Sequence, residues 1–168
     1  MKRLVPTGEM TLGPFFPPEF ASGANDLTAL QGRRVEGEPI EITGRVVQAD
    51  GQPLDNLVLE IWQADAKGRY DNPDFLGWGR AATDKNGIFR FLTIKPGRPA
   101  GRVPHINFLI LYSGLMRGLH TVMFFEDADD PVLNAVEDRK KLVAHRSGNT
   151  YTFNIRLRGE GETPFFDD

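Results

Sequence analysis

A chain of 168 residues is long enough for one domain with a core of its own, and its net charge of −3 without a basic stripe argues against nucleic acid as the main partner. The absence of cysteine excludes disulfides, thiol catalysis and zinc–thiolate sites. No run approaches the ~20 apolar residues that a membrane-spanning helix needs, and MKRLVPTGEMTLGPFF lacks an apolar stretch of signal-peptide length, so the chain reads as cytoplasmic.

Residues 1–38 read as an extended N-terminal arm. They hold many Gly and Pro residues and little periodicity, yet they include Phe15, Phe16 and Phe20. Aromatic side chains in such a segment must pack back on the domain or dock on a partner. Residues 39–168 read as a single β-sandwich domain with a C-terminal tail. Ile40–Gln48 is the first strand, with Ile40, Ile42 and Val46 on one face, and Asp50-Gly51 turns the chain. Leu57–Gln63 follows, with Leu57, Leu59 and Ile61 on one side.

Asn86-Gly87 marks a hairpin, after which Phe89 and Phe91 share a face of Ile88–Thr93. Ile106–Tyr112 is a nearly continuous apolar run and is expected to be buried on both faces. Thr121–Phe125 is another short strand. One helix is predicted after Asp130, a good cap, with Pro131 in its first turn and Leu133, Val136 and Val143 at partial helical spacing. Tyr151, Phe153, Ile155 and Leu157 alternate with polar residues as a half-buried strand. Glycine and proline punctuating six or more short strands, with one short helix, give an all-β sandwich. The tail, residues 159–168, carries Phe165 and Phe166 and raises the same packing question as the arm.

The run from Gly44 to Pro73, with EIWQADAKGRY at its heart, resembles the intradiol ring-cleavage dioxygenases, as do GWGRAATDKNGIFRFLTIKPG (Gly77–Gly97) and PHINF (Pro104–Phe108). TLGPFF (Thr11–Phe16) and GEGETPFFDD (Gly159–Asp168) are similar to the alpha-type chains of the family's protocatechuate-cleaving members. Most of these motif residues have a structural reading: Trp62 and Phe91 as core aromatics, and Gly68, Gly87 and Gly97 as turn residues.

Catalytic chains of that family hold Fe(III) with two tyrosines and two histidines, hard phenolate donors completed by imidazoles from a His-x-His strand. Here the strand reads His105-Ile106-Asn107, and Arg98-Pro99-Ala100-Gly101 stands where a ligand tyrosine is expected. Tyr112 and Tyr151 read as core, and Tyr70 is set apart from the ligand set. A facial triad of His105, His120 and Glu126 is the remaining metal reading, and no spacing demands it.

The resemblance therefore implies an iron-free alpha-type subunit without catalytic residues of its own. Its partner would be a beta-type chain that carries the Fe(III), in a hetero-oligomer that opens protocatechuate with O2. Thr11, Gly13 and Pro14 of the arm would reach the substrate cavity, although a plain turn within a docked arm is an equal reading. Alpha-type chains carry an arginine after the PHIN strand, suited to the substrate's ring carboxylate. Ser113 stands at that position, and Arg117, four residues on, is either its replacement or a solvated charge. The alternative from another class is a repurposed, non-catalytic β-sandwich binding module.

Overall fold

The computed structural model describes residues 16–166; Thr11, Gly13 and Pro14 lie outside them. Two sheets face each other across one apolar core, as the sequence predicts. The first is built on β3 (Pro39–Val47), which pairs antiparallel with β6 (Ile88–Ile94) on one side. On the other side β3 runs parallel to β10 (Thr150–Thr152) and β11 (Ile155–Arg156), and β9 (His145–Ser147) closes the sheet against β10. The second sheet has the order β5 (Trp78–Ala82), β4 (Val58–Gln63), β7 (His105–Leu111) and β8 (Leu119–Phe124), all antiparallel. A small hairpin, β1 (Ala29–Leu30) with β2 (Arg33–Arg34), precedes the sandwich.

Period-2 alternation fills the core. Ile42, Leu59, Ile61, Phe89, Phe91, Phe108 and Tyr151 are all buried between the sheets. Phe89, Phe91 and Phe108 meet edge to face with centroids 6.0–6.4 Å apart, an arrangement that adds stabilisation beyond area burial. Tyr112 packs against this core and Tyr151 lies within it, as expected.

Three local expectations change. The strand foreseen through residues 151–157 is broken between β10 and β11, where Phe153 crosses close over Gly44. A Cβ at Gly44 would lie 1.8 Å from the Phe153 carbonyl oxygen, so only glycine lets the two backbones pass. The helix, α1 (Pro131–Asn134), is a single turn capped by the Asp130 side chain. Val136 and Val143 fall outside it and pack with Val103, Phe124, Leu133 and Leu142 in a small second core, since one turn gains little from helix propensity alone. Finally, β7 is buried on one face only: Asn107 is exposed, and Leu109 and Leu111 are half-buried on the outer side.

The flanking segments close both edges of the β5–β4–β7–β8 sheet. On β5, the Arg80 N–H donates to the Ala24 carbonyl, and Leu27 covers Gly79. On β8, the Phe166 N–H donates to the His120 carbonyl and the Thr121 hydroxyl to the Pro164 carbonyl. The tail thus packs back on its own domain, with Thr163 buried, Phe165 against the main core and Phe166 against the second. The arm's Phe16 and Phe20 stack on each other, and Phe20 rests on Arg80. Among the described residues, no helix is long and apolar enough to cross a membrane.

Candidate functional site

The outer face of the β5–β4–β7–β8 sheet holds a groove of about 570 Å³. Register decides what lines it. Trp62 on β4 stands between Trp78 on β5 and Asn107 on β7, and Leu109 on β7 stands opposite His120 on β8. Val122, Val132 and Phe166 complete an apolar wall. Trp62 is therefore not a core residue: at 42 % exposure it lies on the outer face, because the odd residues of β4 face inward there and the even ones outward.

At one end of the groove the Tyr70 ring stacks on Trp62, with centroids 6.1 Å apart and planes 13° from parallel. The loop that delivers Tyr70 is organised by Asp65 of the WQAD run. Its buried carboxylate accepts from the Lys67 and Arg69 amides, from the Arg69 guanidinium at two positions and from the Asn72 amide. Burial alone pushes this carboxyl upward, but the Arg69 and other hydrogen bonds outweigh it and bring its pKa down to about 2. Gly68 completes the turn at φ +79°, where a Cβ would strike the Arg98 carbonyl.

The Tyr70 hydroxyl lies 3.4 Å from Nε2 of His105, the first residue of β7. His105 Nδ1 is 2.7 Å from the Val103 carbonyl, which can only accept, so Nδ1 carries the proton and Nε2 accepts from the phenol. Burial lowers the His105 pKa and raises that of Tyr70, so both stay neutral at physiological pH. The segment entering β7 is fixed by Arg102, which donates through Nε and Nη2 to the fully buried Asp130 carboxylate at 3.1 and 2.9 Å. Asp130 also accepts from the Val103 and Val132 amides. Burial raises its pKa, but the Arg102 bonds and these amides prevail and hold it below the usual carboxylate range.

The site departs from the sequence reading at Tyr70. Set apart from any ligand set on sequence grounds, it is brought against His105, with Asn107 touching the same phenol. The hydrogen bonds that Asp65 accepts in the WQAD turn swing residue 70 back over Trp62. The His105, His120 and Glu126 triad is not brought together. His120 lies four residues from the partner of His105 along β8, a separation of ~13 Å, and Glu126 pairs with Arg98 at 2.6 Å.

A ferric ion does not fit this corner. It gathers one phenol and one imidazole, and its third group, Asn107, is an uncharged amide and a weak ligand. Among the described residues, no group of three or more His, Cys, Asp or Glu side chains is placed to hold a metal. Arg117 lies in the loop between β7 and β8, at the end of β7 far from His105, and lines a recess with Leu157, Glu162 and Phe165.

The profile of the dioxygenase family matches residues 11–159. The protocatechuate 3,4-dioxygenase alpha chain of Burkholderia cepacia is 32 % identical, over 99 % of this chain and 100 % of its own length. The alpha chain of Pseudomonas putida is 40 % identical over 78 % of this chain and 77 % of its own, and the beta chain of B. cepacia is 37 % identical over 83 % and 74 %. Among solved structures, the dioxygenase domain of a carbohydrate-binding fusion protein from Streptomyces sp. SirexAA-E is similar at TM-score 0.66 and 28 % identity, covering 92 % of this chain and 99 % of that one. With fold, motifs and end-to-end likeness in agreement, the chain belongs to the intradiol ring-cleaving dioxygenase family.

Proposed function

We propose that this chain is the iron-free, alpha-type subunit of a protocatechuate 3,4-dioxygenase. It shapes the substrate pocket of a cytoplasmic complex that cleaves protocatechuate with O2 to 3-carboxy-cis,cis-muconate. The observation that carries the reading is the likeness to an alpha chain along that chain's whole length, joined to a corner where, among the described residues, Tyr70 and His105 are the two strong metal donors. The Fe(III) belongs to a beta-type partner and supplies the ring-opening chemistry there.

The contribution of this chain is positioning. Within the arm over residues 1–38, Arg80 holds Phe20 through a ring contact and a hydrogen bond to the Phe20 carbonyl. From that anchor Thr11, Gly13 and Pro14 reach the partner's cavity, where Gly13 permits close backbone approach and Pro14 sets direction. Arg117, on the β7–β8 loop, meets the substrate's carboxylate. Whole-length likeness to alpha chains favours this reading over a repurposed binding module.

The test is to express the chain alone and together with a beta-type chain, then to measure bound iron, ferric–tyrosinate colour and O2 uptake with protocatechuate. Colour and turnover are expected only in the mixture. Stoichiometric iron on the chain alone would overturn the proposal.

A further inference from the structure

We infer that the cleft between the β1–β2 hairpin and the loop over residues 67–74 binds a small, doubly charged oxyanion, either phosphate or a dicarboxylate. The cleft shares no lining residue with the groove on the four-stranded sheet.

The cleft holds about 650 Å³, and both of its walls are fixed before any ligand arrives. One wall is the hairpin. Its turn residues, Gln31 and Gly32, both stand at positive φ (50° and 78°), the tight turn that matches strand twist. The Val35 amide extends the ladder to the Thr28 carbonyl. The other wall is the loop that Asp65 ties down through the hydrogen bonds it accepts. Lys67 crosses to Glu36 at 3.0 Å and joins the loop to the segment that leaves β2. Walls held in this way spare a ligand the cost of ordering them.

Charge selects the ligand. Four cations line the cleft, Arg33, Arg34, Lys67 and Arg69, against two carboxylates, Glu36 and Asp74. Lys67 is already paired with Glu36, and Arg69 with Asp65 behind the loop. Asp71 stands near Arg69 without lining the cleft. Among the described residues, the Arg33 and Arg34 side chains make no hydrogen bond or ion pair, and both residues are exposed. Neighbours on a strand point to opposite faces, yet both of these long side chains border the cleft, so they meet a ligand from two directions. A guanidinium fork takes carboxylate or phosphate oxygens two at a time, and two uncompensated forks call for two negative charges. The lining has no aromatic ring on which an apolar ligand could stack.

The test titrates the full chain with inorganic phosphate, with succinate and with chloride. Ionic strength is held constant, slightly above neutral pH, where phosphate is doubly charged. Backbone amide resonances report the binding. Phosphate, succinate or both should move the signals of Arg33, Arg34 and Lys67 along a saturable curve, and the one that saturates identifies the source of the anion. Chloride should leave them in place. R33Q combined with R34Q should weaken binding by at least about tenfold, the loss expected when two charged donors are removed. D74N should tighten binding severalfold, because it removes the lining carboxylate that has no cation paired with it.

Shifts that never saturate, equal shifts with chloride, or undiminished binding by the double variant would each overturn the inference. So would weaker binding by D74N. That variant keeps both arginines and the Asp74 amide bond to Asn72, so the sign of its effect decides the matter even where the double variant is unstable.

Discussion

The Tyr70 hydroxyl donates to Nε2 of His105 across 3.4 Å, while the Val103 carbonyl accepts a hydrogen bond from the N–H of the other ring nitrogen. The Val103 bond alone would favour the charged imidazole, but burial outweighs it and holds the ring's pKa below its ordinary value. In the unfolded chain it would titrate near its ordinary value of 6.5. Below that pH the unfolded state takes up the proton first, so stability is full above 6.5 and declines as pH falls towards the lower folded value. Urea denaturation as a function of pH should show this slope, and His105→Gln should flatten it. Tyr70→Phe keeps the stack on Trp62 but removes the donor, at a cost of about 1 kcal/mol.

Asp65→Asn should cost on the order of 2 kcal/mol, because one carboxylate satisfies five donors and two of them come from a guanidinium. In the native protein the carboxylate's contribution is present above the ordinary pKa of 3.8. It is lost as pH falls from there through about 2. The near-ultraviolet circular dichroism of Trp62 should change in the same variant, since Asp65 sets the turn that lays Tyr70 upon it.

Asp130→Ala strands Arg102 and two backbone amides, one of them at the entry to β7. Removing one partner of a buried ion pair costs about 3 kcal/mol, measured by equilibrium unfolding. Arg102→Met alone should cost less, because the guanidinium is one-third exposed and Asp130 keeps its two amide donors. The double variant should fall well short of the sum of the two, the mark of a direct interaction.

Deleting residues 1–15 tests the arm. The domain should keep its melting temperature within a few degrees, because the anchor at Phe16–Phe20 and the sheet edge at Ala24 stay in place. Turnover by the complex with the beta-type chain should fall by tenfold or more. Undiminished turnover would remove the positioning role from Thr11, Gly13 and Pro14.

Much of this molecule was legible from residue order. Strict alternation placed Leu57, Leu59, Ile61, Phe89, Phe91 and Tyr151 in the core. The Asn86-Gly87 turn forms where turn chemistry put it, but it is not a hairpin: it carries the chain from one sheet to the other, since β5 pairs with β4 and β6 with β3. The strand Trp78–Ala82 was hidden by its small residues, which have no hydrophobic signature until Leu27 packs over Gly79. The apolar run at 106–112 gave no sign that Leu109 and Leu111 face outward, because an apolar groove and a second buried face look alike in sequence. Tyr70 was missed for a different reason. Its position depends on how the Asp65 turn folds back, which is a matter of hydrogen-bond geometry that residue spacing does not encode.

The two capped margins of the four-stranded sheet have a consequence for how anything can attach to it. With the backbone of β5 bonded to Ala24 and that of β8 to Phe166, these bonds block strand addition along the flanks, the usual route to runaway aggregation. Association is thereby steered to side chains on the broad faces, where shape and chemistry can choose a partner that backbone pairing would accept without discrimination.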